Sequence, residues 1–298
     1  MKTTERPAQR LALIYEWYLG MVNARTGMLE YMYFPEAESF VRERSPIRDI
    51  ASVWDAAVLG RFLERDDLRG TIERSVAHYI GYLTDHHGAL ILDPLRLREP
   101  SSIAHSAFMT LALLALLEAY RDLHDTRWLE SAERAWRYYD SQYFRRGLVA
   151  DDVVVFFANW QSQACRLLFE HARTPEVARE IAEYLYRMHD LIIERGFFDA
   201  VERQPGRQSS VAVACALEGL NDAYAVARAE RDRRLDGYAR CICTGLRYLL
   251  ALQSTEPTSG RSRGGFGFTT TDRTQRIDVT GHVASAFMKA IENGTVCA

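Results

Sequence analysis

The clearest structural unit of the chain runs through Tyr248-Leu249-Leu250-Ala251-Leu252-Gln253, then Gly264-Gly265-Phe266-Gly267-Phe268, and then an apolar stretch from Asp278 to Glu292. The first part has apolar residues at helical spacing, and the glycines then interrupt that spacing. The last part is apolar on nearly every side, and such a helix is stable only when it is buried. The unit therefore predicts an outer helix, a short glycine-aromatic connection and a buried inner helix.

Four similar glycine segments occur earlier in the chain. In each of them apolar or aromatic residues and then an acid follow the glycine. They are Gly27-Met28-Leu29-Glu30, Gly88-Ala89-Leu90-Ile91-Leu92-Asp93, Gly147-Leu148-Val149-Ala150-Asp151 and Gly196-Phe197-Phe198-Asp199. Successive glycines, ending at Gly265, are 61, 59, 49 and 69 residues apart. This spacing indicates a loose repeat with insertions.

Helical periodicity flanks these segments. It extends from Leu11 to Val22, Ile47 to Leu63, Ile103 to Tyr120, Trp128 to Tyr139, Val211 to Val226 and Leu235 to Leu252, and Thr174-Pro175-Glu176 predicts a further helix start. Five outer–inner pairs fit the chain, and stacking them buries the inner helices together in a ring. We therefore expect an all-α fold that forms one domain over residues 1–298.

The composition is that of a globular protein without a basic surface. Lys and Arg number 37 against 40 Asp and Glu, and the formal net charge is −3. A dedicated nucleic-acid partner is therefore not expected. The longest apolar run, Ala107 to Leu117, is much shorter than the roughly 20 residues of a membrane span, so no membrane span is expected either.

The ends and the cysteines favour a cytoplasmic protein. No apolar run follows the first charged residues, as it would in a secretory signal. The number of cysteines is odd and their spacing is irregular, which is more typical of a reducing compartment than of a disulfide scaffold. The five are Cys165, Cys215, Cys241, Cys243 and Cys297. A mature secreted protein whose signal has been removed remains the alternative.

Polar residues recur where the predicted inner helices begin. Helix N-termini offer unpaired N–H groups and a partial positive charge, and inner helices of a ring converge on one cavity. The candidate catalytic residues are Asp49, Asp278, His282 and His105. The candidate substrate-binding residues are Arg48, Trp160, Gln161, Arg207, Gln208, Arg276 and Phe266. Carboxylates beside histidines suit proton transfer, and arginines suit an anionic group.

Each candidate also has a structural interpretation. Asp49 and Asp278 are at positions where aspartate often caps a helix. His105 and His282 fit core histidines bonded to a carbonyl group, and Trp160 and Phe266 fit core packing. For the arginines, the structural interpretation is an ordinary surface side chain exposed to solvent.

The sequence offers no recognisable metal or cofactor motif. Cys241-Ile242-Cys243 lacks the two-residue spacer of zinc-binding pairs and lies in a helical pattern, where the two thiols diverge. Gly264-Gly265-Phe266-Gly267-Phe268 is not followed by the Lys-Ser/Thr of a phosphate-binding loop. We therefore expect no cofactor and no metal.

The repeat resembles that of the α/α-toroid proteins, which include terpenoid cyclases, protein prenyltransferase β-subunits, sugar 2-epimerases, uronate-active lyases and epimerases, and several glycosidases. Gln253 followed by Gly264-Gly265-Phe266 is similar to the Leu-x-x-Gln…Gly-Gly-Phe/Trp repeat of terpenoid cyclases and prenyltransferases. The resemblance implies an α/α toroid of about five to six helical hairpins. The Asp-x-Asp-Asp acid signature of terpenoid cyclases and the Asp-x-Cys zinc spacing of prenyltransferases are absent.

Three functions are compatible with these features. The first is an enzyme that acts on a polar, anionic carbohydrate as a uronate or sugar epimerase, lyase or hydrolase. In that case the partner is a small-molecule or oligosaccharide substrate, and assembly into a homo-oligomer stays open. The second is a terpenoid cyclase-like or prenyl-binding protein. The third is a non-catalytic helical-repeat scaffold. The polar helix starts favour the first.

Overall fold

The computed structural model describes residues 5–41, 46–80, 83–86, 89–92, 117, 124–141, 154–256, 261–295 and 297. The described part is mostly helical, which confirms the all-α prediction. Its helices are α1 (Glu5–Gly20), α2 (Pro46–Phe62), α3 (Arg69–Ile80), α4 (Thr126–Tyr139), α5 (Val154–Glu170), α6 (Pro175–Glu194), α7 (Phe197–Arg203), α8 (Ser210–Glu230), α9 (Leu235–Leu252) and α10 (Ile277–Glu292). The inner helix predicted from Ile103 to Tyr120 lies, except for Leu117, outside the described residues.

The helices form two rows. In the inner row α5 packs against α8, α8 against α10, and α10 against α2. In the outer row α6 contacts α5 and α8, α9 contacts α8 and α10, and α1 contacts α10 and α2. Each of these outer helices therefore lies against two neighbouring inner helices. This is the outer–inner alternation that the sequence predicts, because the inner helices are apolar nearly all round.

Short strands connect the first helical pair to the last one. Strands β1 (Met32–Phe34) and β2 (Ser39–Phe40) are antiparallel, and β5 (Gln275–Arg276) pairs with the other edge of β1. Tyr33 is opposite Phe40 on one side and Gln275 on the other. A separate hairpin consists of β3 (Leu83–His86) and β4 (Ala89–Leu92). The sequence analysis did not predict these strands, because they are too short to show period-2 alternation.

The glutamine and glycines of the repeat hold the last connection in place. Gln253 Nε2 donates to the Gly264 carbonyl at 3.0 Å and to the Arg10 carbonyl of α1 at 3.3 Å. Gly264 has a φ of +96°, and an added Cβ would stand 1.9 Å from the Leu13 carbonyl oxygen, so only glycine fits there. Phe266 is fully buried, with its ring 6.0 Å from that of Phe287. The motif thus stabilises the fold, and the described contacts give it no chemical role.

The cysteines behave differently from the expectation of free thiols. Cys243 of α9 and Cys297 form a disulfide that closes a loop over a sequence separation of 54. Cys165, Cys215 and Cys241 are free. The pairing joins the end of the described chain to the outer row, and an irregular spacing in the sequence cannot reveal such a pair.

None of the described helices combines the length and the apolar content that crossing a bilayer requires.

Candidate functional site

A group of buried polar side chains comes from α2, α8 and α10, some from the first turn of a helix and some from its middle. We call it the central cluster, and it contains the carboxyl groups of two residues of α2, one of α8 and one of α10, together with a thiol, an imidazole and two guanidinium groups. Its members are Asp49, Asp55, Glu218, Asp278, Cys215, His282, Arg48 and Arg276. The four carboxyl residues are at most 5% exposed, although isolated charges are rarely buried. Such a concentration of ionisable groups is typical of a functional site.

Two arginines bind the carboxylate of Asp278. Arg48 Nε lies 3.1 Å from Asp278 Oδ2, and Arg276 Nε donates to Asp278 Oδ1 at 3.0 Å. Arg276 Nη2 makes a second contact with Oδ2, so its guanidinium holds the carboxylate through two bonds. Both guanidinium carbons also lie over the ring of Tyr31, at 5.6 Å and 5.8 Å from its centroid. Asp278 is therefore an arginine partner, and α10 has no side-chain cap at its N-cap residue Arg276.

An imidazole–carboxylate pair lies deeper in the cluster. His282 Nδ1 is 2.7 Å from Glu218 Oε2. Burial alone would lower the pKa of His282. The neighbouring Cys215 and Glu218 have a larger opposite effect and raise this pKa well above its ordinary value. Burial also opposes ionisation of Glu218, yet His282, Lys289 and Ser285 lower the pKa of Glu218. The two residues form a buried ion pair, and the ring of Trp160 approaches His282 edge to face at 5.9 Å.

Asp55 is held in a different protonation state from its neighbours. Burial raises the pKa of Asp55 to about 8; His282 opposes this shift, and Glu218 and Asp278 add to it. At neutral pH this carboxyl group is therefore mostly protonated, while Glu218 is ionised. Acidic groups in opposite states are one of the arrangements that proton transfer requires.

Gly281 gives Asp55 its space. A Cβ on Gly281 would lie 2.0 Å from Asp55 Oδ2 and 3.0 Å from Asp55 Cβ. We expect Gly281→Ala to destabilise the protein by about 1–3 kcal/mol through overpacking, although alanine normally favours a helix. Urea denaturation measures this difference.

A matched control and a rescue make this prediction specific. Gly237 of α9 has no atom within 4 Å of an added Cβ, so Gly237→Ala is expected to stabilise the protein by up to about 1 kcal/mol. Combining Gly281→Ala with Asp55→Ala is expected to recover most of the loss. A double variant that loses the sum of both single effects would show that Asp55 is not the residue that Gly281 accommodates.

Three side chains of the cluster are close enough to share a metal ion. One ligand atom each from Cys215, Glu218 and His282 lies within 4.8 Å of the other two, and all three residues are buried. Cys215 and Glu218 are three residues apart on α8 and so point to the same side of that helix. Burial raises the pKa of the Cys215 thiol, and His282 opposes this shift.

A second buried histidine, His189, pairs with a serine hydroxyl and has a structural role. Ser162 Oγ lies 2.8 Å from His189 Nε2 and donates to the Ala158 carbonyl, so its hydrogen is already engaged. Burial lowers the pKa of His189 to about 3, which keeps the imidazole neutral. A Cβ on the neighbouring Gly219 would lie 2.9 Å from His189 Cε1. The pair is packed between helices and has no free nucleophile.

The structure brings six of the predicted site residues together. Five of them belong to the central cluster: His282 and four residues from the start of α2 and around the start of α10. The sixth, Trp160, packs against His282. The four residues at the helix starts are Arg48, Asp49, Arg276 and Asp278.

The other predicted residues lie elsewhere. Gln161 is buried and accepts from the Tyr184 hydroxyl of α6 at 3.5 Å, Arg207 is exposed in a 3-10 turn, and the Gln208 carbonyl accepts from the Tyr248 hydroxyl. Phe266 packs in the core, and His105 is outside the described residues.

The candidate residues did not include Cys215, Glu218, Tyr31 or Asp55, although the sequence showed Asp55 as an acid below the polar start of α2. Cys215 and Glu218 had a signal, because an acid and a thiol three residues apart are unusual within an otherwise apolar inner helix. Tyr31 gave no signal, since it belongs to a connection and reaches the cluster through the pairing of β1 with β5. Compared with known proteins, the chain matches no family model, and no curated protein shows significant similarity to it.

Proposed function

We propose that this protein is an enzyme that carries out proton transfer on a polar, anionic carbohydrate, as a uronate or sugar epimerase, lyase or hydrolase. The observation that supports this proposal most directly is the central cluster itself. Burying four carboxyl groups costs free energy. A catalytic role would explain why the inner row carries them despite this cost.

The groups present suit acid and base catalysis. The Glu218–His282 pair offers a hydrogen-bonded proton donor and acceptor at 2.7 Å, and Asp278 and Asp55 add two further carboxyl groups. Proton transfer by positioned side chains contributes about 10²–10⁴-fold to the rate of such reactions. Trp160 supplies an aromatic surface beside His282, and aromatic side chains present flat apolar faces to sugar rings.

Arg48 is the residue that would bind the anionic group of the substrate. Its side chain is 46% exposed, whereas the Asp278 carboxylate that it binds is 7% exposed. A guanidinium group is a planar, permanently charged set of N–H donors that matches the two oxygens of a carboxylate. A half-exposed group of this kind is suited to a substrate carboxylate, and Arg276, which binds the same Asp278, adds a second positive charge.

We also propose that the two rows belong to an α/α toroid. The first inner helix, α2, lies beside the last one, α10, and β1 pairs with β5, so the two ends of the helical series meet. Such a meeting is what closure of a ring requires. A chain of repeats that stays open would keep its first and last units apart.

The two alternative functions have less support. A hydrocarbon-binding cavity would need apolar residues where the described inner helices carry carboxylates. A protein-binding scaffold would need a large exposed apolar surface, and among the described residues Trp54 is the one large apolar side chain that is exposed.

Binding of D-glucuronate, D-galacturonate and their oligomers tests the proposal. We expect binding by calorimetry to the uronates and not to D-glucose. Arg48→Gln is expected to weaken uronate binding about 10–100-fold, because a charged hydrogen bond contributes roughly 1.5–3 kcal/mol. Arg137→Gln is the matched control, since Arg137 is similarly exposed and has an ion pair with Glu180 at 2.8 Å.

The result that contradicts the proposal is equally concrete. Failure of every uronate to bind would exclude an anionic carbohydrate as the substrate. Equal affinity for glucuronate and glucose, or equal losses in the two arginine variants, would show that Arg48 does not recognise the anionic group.

A further inference from the structure

We propose that Cys215, Glu218 and His282 bind a divalent transition-metal ion of the zinc type. This inference rests on the same central cluster as the proposed function and adds a cofactor that the sequence did not indicate. With the metal bound, Glu218 and His282 would serve as ligands, and Asp55 and Asp278 would be the carboxyl groups left for proton transfer. The three residues come from adjacent inner helices, because Cys215 and Glu218 are on α8 and His282 is on α10.

The ligand types and their spacing fit zinc. Thiolate, imidazole and carboxylate are the three side-chain ligands that zinc uses, at about 2.0–2.3 Å from the ion. Tetrahedral ligands at that distance are separated from each other by roughly 3.3–3.8 Å. The atoms here lie within 4.8 Å of one another, and the Glu218–His282 distance is 2.7 Å. Small side-chain rotations therefore suffice to place an ion among them, without movement of either helix.

The charges of the ligands match the charge of a divalent ion. A thiolate and a carboxylate neutralise the two positive charges of the metal, so the loaded site would carry no net charge into the protein interior. The Glu218 carboxylate lies 2.7 Å from the imidazole, so the site already holds a negative charge where the ion would bind. A buried thiol without such neighbours is inert, whereas Cys215 is placed against an imidazole and a carboxylate.

Other side chains hold the ligands in position. Ser285 bonds to Glu218, and the Trp160 ring restricts the imidazole of His282. Supporting contacts of this kind orient metal ligands and are worth about 10–100-fold in affinity. Three protein ligands also leave a fourth position for water or substrate, which is typical of catalytic rather than structural zinc sites.

Cobalt provides a test that does not depend on activity. The full-length protein is stripped with a chelator and titrated with Co²⁺, whose bond to a thiolate gives a near-ultraviolet charge-transfer band. We expect this band to saturate at one equivalent and to be displaced by Zn²⁺. Cys215→Ser is expected to abolish the band and to weaken Zn²⁺ binding by more than the roughly 10–100-fold cost of an outer-shell change.

The control is the same change in another buried thiol of the inner row. Cys165 of α5 is free and fully buried, so Cys165→Ser is expected to leave the band and the Zn²⁺ affinity unchanged. His282→Gln, checked for retained helicity by circular dichroism, is expected to lose Zn²⁺ affinity as Cys215→Ser does.

Absence of a charge-transfer band in the wild-type protein overturns the metal site by itself. A band that persists in Cys215→Ser overturns it as well. These outcomes are separate from those of the uronate experiment. Stoichiometric metal without uronate binding would retain the metal site and reject the proposed function. Uronate binding that depends on Arg48, without metal, would do the reverse.

Discussion

Asp278→Asn is expected to lower turnover about 10²–10⁴-fold, because asparagine keeps the shape of the side chain and cannot exchange a proton in the same way. Turnover is followed by NMR as deuterium exchange at the carbon beside a uronate carboxylate, or as release of reducing ends if the reaction is hydrolysis. Asp278 accepts from both Arg48 and Arg276, so its charge also balances theirs.

This double role predicts an unequal effect on kcat and KM. Without the carboxylate, the two guanidinium groups gain free donors for the substrate anion, so KM for a uronate should stay the same or fall while kcat collapses. A variant that merely unfolds would lose binding and turnover together. The same separation distinguishes a group that takes part in proton transfer from one that only positions the arginines.

Asp232→Asn is the matched control for Asp278→Asn. Asp232 also binds an arginine, with its Oδ2 at 3.0 Å from Arg234 Nη1, and it lies in the turn between α8 and α9. We expect its replacement to leave kcat unchanged. Equal turnover of Asp278→Asn and the wild type would remove Asp278 from the mechanism and leave the Glu218–His282 pair as its acid and base.

Cys297→Ser is expected to reduce the free energy of unfolding by about 4 kcal/mol. The disulfide between Cys243 and Cys297 spans a sequence separation of 54, and restricting a loop of this length in the unfolded chain is worth that amount in the chain-entropy model. Urea denaturation under non-reducing conditions measures the change. Because Cys297 is itself buried, the serine adds a small packing cost.

Reduction separates the covalent effect from the packing effect. Dithiothreitol should destabilise the wild type nearly as much as Cys297→Ser does and should have no further effect on that variant. Cys241→Ser, a change in a free and partly buried thiol of the same helix, is expected to alter stability by less than about 1 kcal/mol. Equal stability of the wild type with and without reductant would show that the bond does not form in solution.

The disulfide also bears on the compartment of the protein. Thiols of cytoplasmic proteins are normally kept reduced, so a bond between Cys243 and Cys297 removes the cysteine argument for that location. The cytoplasmic location therefore stays a prediction, which fractionation of cells producing the protein would test.

Local patterns predicted most helix positions well. The periodicity from Leu235 to Leu252 coincides with α9, Thr174-Pro175 marks the start of α6, and the apolar stretch ending at Glu292 is α10. These features depend on neighbours three or four residues apart and on caps, and both can be recognised from residue order. For the same reason the first turns of α2 and α10 could be recognised as polar before any partner was known.

Residue order could not reveal which distant groups meet. Cys215 and His282 are separated by more than 60 residues and come together because α8 and α10 pack side by side, and Tyr31 reaches Arg276 because β1 pairs with β5. Gln161 and Arg207 had the same polar character as the residues that converged, yet their helix faces and turns direct them away. Proximity across helices depends on packing angles and strand register, which are set by the whole core and leave no trace in local spacing.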